Sequence, residues 1–228
     1  MGFNLIFLHR SNSQKPFLHH LNTENILQDL EFNDENSVSA SACFKNKTIS
    51  SFYENIYKEY HESKDKLLLI EYFSVTEYLN LLIDICKLLN PFKTNAILLL
   101  AAAVSDFYLP TDLMAEHKIQ SGNGNLELCL KPVPKLIKFI KKSICPDAFI
   151  VSFKLETDES LIIKKAKESL KKYQHDLVIS NCLATRKTKL ILLDSKGEEV
   201  IEKQNESLIE GELISKVIQK YNEYKINK

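Results

Sequence analysis

Glycine is scarce in this sequence: five among 228 residues, at Gly2, Gly122, Gly124, Gly197 and Gly211. A P-loop or a GxGxxG turn needs glycine where backbone approaches phosphate, and neither motif is present. The one GxG, Gly122-Asn123-Gly124, follows a loop rather than a strand. Cysteine pairing is lacking too. Cys43, Cys86, Cys129, Cys145 and Cys182 are odd in number, with no CxxC and no Cys/His spacing suited to zinc. Cys86 and Cys129 lie in apolar runs and read as core cysteines, and the set suits a reducing, cytoplasmic compartment. Neither sign of charge dominates. Lys+Arg and Asp+Glu stand at 30 each, so no overall field draws in nucleic acid or an anionic membrane. No apolar run reaches the roughly 18 residues of a membrane span, and residues 3–8 are too few for the core of a secretory signal. His9, His19, His20, His61 and His175 show no spacing for a metal or a base. No Ser/His/Asp or Cys/His pair is placed by motif, which argues against covalent catalysis by the protein.

What is present is an ordinary globular composition, 44% hydrophobic and 26% charged, in a chain long enough for one large domain or two small ones. One domain spanning 1–228 is the expectation, since no linker or repeat interrupts it. Residues 3–8 read as a buried strand and 11–41 as a polar, irregular loop with short helical pieces. Ile49, Phe52, Tyr53, Ile56, Tyr57 and Tyr60 recur at helical spacing and predict a helix over 48–63. A strand follows at 66–73. Ser74-Val75-Thr76-Glu77 is a capping box that opens a helix running to Asn90, where Pro91 stops it.

The run 96–104 is continuously apolar, as a central parallel strand is. Residues 107–125 read as a long loop, 126–130 as a short strand, and Pro134 as the start of a helix reaching about 143. A strand at 148–154, a helix at 158–173 and a strand at 177–180 complete an alternating pattern. Segments 189–193 and 199–202 flank Ser195-Lys196-Gly197 as a hairpin, and a last amphipathic helix covers 211–224. The alternation predicts an α/β fold: a Rossmann-like, mostly parallel sheet with helices on both faces and a small antiparallel extension.

Ligands of open α/β sheets sit at the carboxyl ends of the strands. Ala101-Ala102-Ala103 leaves backbone uncovered at one such end, either for close helix packing or for a ligand, and Asp106 follows directly. Lys118, in Glu116-His117-Lys118-Ile119-Gln120-Ser121, occupies a loop that Gly122 and Gly124 free to move, as lids over phosphates do. Phe153 could stack on a purine or fill the core. Asn181 could read a base or ribose, or cap a turn.

Taken in order, AAAVSDFYLP, EHKIQS, VPKLI, FIVSFKLETD and YQHDLVISN resemble phosphopantothenoylcysteine synthetase of the eukaryotic, ATP-dependent type. The likeness runs from LIFLHR at the first strand to the last helix. It implies ligation of cysteine to 4′-phosphopantothenate through an acyl adenylate, with ATP as co-substrate and Mg2+ held mostly by phosphate oxygens and water. The resemblance gives Lys118 a catalytic, phosphate-holding role and places Ala102, Ala103 and Asp106 at the substrate. It places Val133, Pro134, Lys135, Leu136, Phe153 and Asn181 at the nucleotide. It assigns no metal ligand among the side chains. CTP-using bacterial members carry two lysines in the helix after the FKLET strand; aligned here, these are Ser169 and Tyr173, which implies ATP. A homodimer is implied as well, with the 107–125 insert long enough to reach a partner's site.

The family also has a preceding strand and a glycine-rich segment that this chain does not show, so a truncated sequence or a partial homologue is expected. The complete protein is expected to dimerise, and the chain as it stands to be poorly soluble through an open sheet edge. A non-catalytic paralogue that binds the true ligase, or a different Rossmann-like nucleotide enzyme, also fits the residues. The absent GxGxxG argues against a dehydrogenase.

Overall fold

The computed structural model describes residues 2–21, 26, 28–33, 41–44, 47–117, 119–120, 125–203 and 208–228. It divides into two compact units, Met1–Ser74 and Val75–Lys228.

In the first unit, strands β1 (Leu5–Arg10) and β4 (Leu67–Tyr72) pair in parallel, Leu5 opposite Leu67 and Arg10 opposite Tyr72. Parallel neighbours need a long crossover. Here it contains the antiparallel pair β2 (Leu30–Asn33) and β3 (Ser41–Phe44), then helix α1 (Lys47–Ser63). The helix and β4 match the sequence reading closely. The 11–41 segment corrects it, because it contains a strand as well as the short helical turn Leu18–His20. Polar composition hid a ladder that side-chain pattern alone does not announce.

The second unit is built on a five-stranded sheet in the order β11-β10-β9-β8-β5. Its strands are β5 (Ile97–Leu100), β8 (Phe149–Glu156), β9 (Leu177–Cys182), β10 (Lys189–Leu193) and β11 (Glu198–Glu202). The first three run parallel, and β10 and β11 add the antiparallel extension. Asp194 shapes the hairpin turn by accepting hydrogen bonds from the Lys196 and Gly197 amides at 2.8 and 3.1 Å.

Period-two alternation splits the sheet's side chains between two helices. Phe149, Val151, Leu177, Ile179, Leu190, Leu192 and Ile201 face Ile209, Leu213, Val217 and Tyr221. Those residues belong to the last helix, Ile209–Ile226. The opposite face places Val178, Cys182, Ile191 and Leu193 against Ile162 and Ala166 of the helix Ile162–Tyr173. Helices therefore cover both faces, and the Rossmann-like expectation holds. In chain order the helices of this unit are α2 (Val75–Leu89), a short α3 that begins at Ile137–Phe139 and widens into π turns over Ile140–Ile144, α4 (Ile162–Tyr173) and α5 (Ile209–Ile226). Asp158 caps the turn before α4, accepting from the Ser160 amide at 2.9 Å.

Four local expectations are corrected. The 96–104 strand ends at Leu100, and Leu99 is exposed, because β5 is an edge strand paired only with β8 among the described residues. Residues 126–130 form no strand: Leu126, Leu128 and Leu130 alternate as a strand would but stand exposed. Pairing instead occurs just beyond them, between β6 (Phe107–Tyr108) and β7 (Lys131–Pro132). Pro134 lies in the turn before α3 and does not open it; Ile137 does. Cys129 is exposed, whereas Cys86 is fully buried and its thiol is pushed up to about 12 by burial and by neighbouring Cys145.

The amino ends of β8 and β9 are closed by a polar network. Lys141 donates to Asp176 at 2.7 Å and to the Ala148 carbonyl at 2.9 Å, and Asp176 also accepts from the Ile150 amide at 2.8 Å. His175, buried beside them, shares a 2.7 Å hydrogen bond with Ser152 Oγ through Nε2, and its Nδ1 has no partner among the described residues. Burial, then the Lys141 charge, lowers its pKa to about 4, so the folded protein holds it neutral at pH 7.

The unfolded chain's histidine protonates near 6.5. Stability linked to His175 is therefore complete above about pH 6.5 and is lost as pH falls toward 4, by about 2–3 kcal/mol. Urea unfolding at pH 7 and pH 4.5 checks this: His175→Gln should lose that much less than wild type between the two. Parallel losses would show that His175 titrates normally.

Candidate active site

The parallel pairing delivers the ends of β5, β8 and β9 to one edge of the sheet. Beyond Leu100 the chain leaves the ladder, and Ala101, Ala102 and Ala103 lie exposed with only methyl groups to shield their backbone. Ser105 Oγ donates to the Phe107 carbonyl at 2.7 Å and accepts from the Phe107 amide at 3.3 Å. This tight turn presents Asp106.

The Asp106 carbonyl accepts from the Val133 amide at 2.9 Å, and Phe107 and Tyr108 pair with Pro132 and Lys131. Two sequence-distant segments thus meet. Buried Val133 anchors the second, while Pro134 and Lys135 are exposed and Leu136 is half-buried. The Lys135 ammonium forms an ion pair with Asp106. That hydrogen bond and charge, with a smaller pull from Lys154, hold the Asp106 carboxyl below the usual carboxylate range.

At the ends of β8 and β9, Phe153 registers with Ile179 and Leu155 with Asn181. Phe153 and Asn181 therefore share the α5 face. Phe153 is half-buried and packs against the core cluster under α5, which claims most of its ring. The opposite, α4-facing side carries residues to which the sequence reading gave no role. Glu156 is 90% buried at its side chain and takes Lys154 on Oε1 at 3.3 Å and Lys165, from α4, on Oε2 at 2.5 Å. Burial alone would raise the Glu156 carboxyl, but hydrogen bonds from Lys165 and Lys154 outweigh it and keep the group below its usual range. The available signal was FKLET itself, where alternation places Lys154 and Glu156 on one face at a strand's carboxyl end.

The structure thus brings together Asp106, Val133 and Lys135, and separately aligns Phe153 with Asn181. Lys118 lies outside the described residues, as do Ser121, Gly122, Asn123 and Gly124. His175 lies at the other end of the strands. Among the described residues no group of three or more His, Cys, Asp or Glu could hold a metal ion. A cavity of about 460 Å³ in the first unit is lined by Phe17, Leu18, Tyr53 and Tyr57 among others. Its lining is almost wholly apolar and offers no convergent set of charged groups, so the strand ends, with theirs, are the better candidate site.

Residues 73–221 match the family profile described as DNA/pantothenate metabolism flavoprotein C-terminal domain. The chain is 35% identical over 227 residues to phosphopantothenate–cysteine ligase 1 of Oryza sativa subsp. japonica, covering 98% of this chain and 69% of that protein. It is 34% identical over 221 residues to the Homo sapiens phosphopantothenate–cysteine ligase, covering 95% of this chain and 71% of that protein. A solved structure of a histidine-to-alanine mutant of Cab2, in complex with phosphopantothenate-cysteine, superposes with a TM-score of 0.84 at 33% identity. The match covers 99% of this chain and 75% of that one.

The Asp106 and Lys135 side chains are 71% and 53% exposed, so their pairing contributes little to folding. Asp106→Asn and Lys135→Gln should each change stability by less than about 0.5 kcal/mol. Chemical denaturation measures it, and a loss above about 2 kcal/mol from either would mark the pair as a structural clamp.

Proposed function

This chain belongs to the phosphopantothenate–cysteine ligase family, and from that premise we propose that it joins cysteine to 4′-phosphopantothenate in an ATP-dependent step of coenzyme A synthesis. The observation that carries the reading is the match along nearly the whole chain to a fold solved with phosphopantothenate-cysteine. The chemistry needs a carboxylate activated in place and then attacked by an amine. A phosphopantothenate carboxylate oxygen attacks the α-phosphorus of ATP, and pyrophosphate leaves. The cysteine amine then attacks the acyl carbon of the adenylate, losing a proton as AMP departs and the amide forms.

Positioning and charge neutralisation carry such a reaction, without a protein nucleophile. The exposed backbone of Ala102 and Ala103 lets substrate approach closely, beside Asp106 as oriented by Lys135. Phe153 and Asn181, on one face of adjoining strand ends, border the nucleotide together with Val133, Pro134 and Leu136. Lys118 neutralises charge growing on the transferred phosphorus. The described side chains do not form a magnesium cage; Mg2+ would enter on the nucleotide's phosphates, and no step above depends on a protein ligand to it. A cytoplasmic homodimer completes the reading.

Incubation with phosphopantothenate, cysteine and ATP should yield the amide with stoichiometric AMP and pyrophosphate. Release of ADP and phosphate would replace the adenylate by an acyl phosphate.

Replacing Lys118 removes one charge-assisted phosphate contact at the transition state. Lys118→Gln should lower kcat at least ~10²-fold while stability stays within about 0.5 kcal/mol. Unaltered turnover would remove Lys118 from the machinery.

A further inference from the structure

Among Lys135, Lys154 and Lys165, at the carboxyl ends of the strands, Lys154 is the most loosely paired. Glu156, nearly buried, needs one close positive partner to remain ionised there, and Lys165 supplies it at 2.5 Å. Asp106 already has Lys135. Lys154 makes a looser contact, 3.3 Å from Glu156 Oε1, with 41% of its side chain exposed. It also lies close enough to Asp106 to draw that carboxyl down. Lys165 also draws down the carboxyl of Asp158, two residues on from Glu156. Of Lys135, Lys154 and Lys165 it is thus Lys154 that has the longest contact, and its charge is felt by both Glu156 and Asp106.

Backbone geometry singles out the same residue. β5 pairs with β8 only as far as Leu100 opposite Ser152. From Phe153 onward β8 has, among the described residues, a ladder partner on β9 alone, so Lys154 lies on β8 past the point where the β5 ladder ends and the exposed Ala101–Ala103 backbone begins. Lys154 thus shares its carboxylate with Lys165 and has an open flank.

We propose that Lys154 is a further substrate-binding residue, whose ammonium leaves its loose contact with Glu156 to bind phosphate oxygens of a phosphorylated substrate. Glu156 is its positioning residue. Anchored by Lys165, the carboxylate holds the Lys154 stem extended along the α4 face, so that little side-chain freedom is lost when the anion arrives. The assignment rests on the ligase reading, which supplies two phosphorylated substrates of the same chemistry, the nucleotide and phosphopantothenate.

Steady-state kinetics of wild type, Lys154→Gln, Lys154→Arg and Glu156→Gln, varying each substrate in turn, test it. Lys154→Gln should raise KM for one phosphorylated substrate at least about 10-fold, as loss of a charge-assisted contact does. The KM for cysteine and the melting temperature should hold, and Lys154→Arg should recover most of the loss. Which KM rises, that of ATP or that of phosphopantothenate, identifies the phosphate. Glu156→Gln should raise the same KM by a smaller factor.

Unchanged KM values, or a lower melting temperature with kinetics otherwise intact, would make Lys154 a structural partner of Glu156 and overturn the proposal. So would a rise in the KM for cysteine alone. Calorimetric titration of Mg-ATP and of phosphopantothenate into wild type and Lys154→Gln separates the two readings. Wild type that binds both ligands but forms no amide would sink the ligase assignment while the difference in affinity still decides Lys154. Wild type that binds neither would sink both.

Discussion

The parallel pairing of unequal strands is the constraint from which the candidate site follows. β5, β8 and β9 run the same way, so their carboxyl ends reach one edge. Had the three been equal in length, their ladders would close that edge with satisfied backbone. β5 instead stops four residues in, at Leu100, while β8 continues to Glu156. A notch opens on one side of β8. The released chain through Ala101–Asp106 is caught again by Val133, where the Asp106 carbonyl accepts an amide hydrogen bond. The small residues 101–103 let the ladder end there, and the turn at Ser105 then presents the Asp106 carboxylate.

The two ends of the same strands manage charge differently. At the amino end Lys141 and Asp176 are matched one to one, with side chains only 12% and 15% exposed, and each adds one backbone bond, to the Ala148 carbonyl and from the Ile150 amide. The Tyr224 ring lies 5.3 Å from the same ammonium, and its hydroxyl donates to the Asp147 carbonyl at 3.0 Å. Such a network is closed, and opening it would strand a buried charge. The carboxyl end has half-exposed lysines and a carboxylate shared between two of them. The charges at the carboxyl end are paired too, but in more exposed contacts, which cost less to open than the buried pair at the amino end.

Elements with their own periodicity were legible in the sequence: α1, β4, β8, β9, the 189–202 hairpin and α5 all fall within a few residues of expectation. In β8, β9, the hairpin and α5 that pattern is set by a core on a known face. The misses share a different cause. Leu126, Leu128 and Leu130 alternate correctly, but alternation states which face would be buried and not whether a neighbouring strand exists. The run 96–104 is apolar throughout, yet three alanines extend that run without enough surface to hold a strand in place. Pro134 has a backbone suited to a first helical turn and equally to the bend before one. In each case a tertiary partner, absent from local sequence, decided the outcome.

The site was legible in part for the same reason. Asp106 and Lys135 stand 29 residues apart, and both were marked by motif, but their pairing depends on the short β6–β7 ladder that no pattern announced. Lys154 and Glu156 went unread because Phe153 is the conspicuous residue of FKLET, and alternation turns its neighbours to the opposite face. That division has a chemical consequence. At the strand ends the α5 face offers an aromatic edge and an amide, Phe153 and Asn181, while the α4 face offers ammonium groups. An occupant reaching both flanks would need a planar, hydrogen-bonding part on one side and negative charge on the other. A nucleotide is such a molecule, and the sheet's own period of two sorts the residues that suit each half of it.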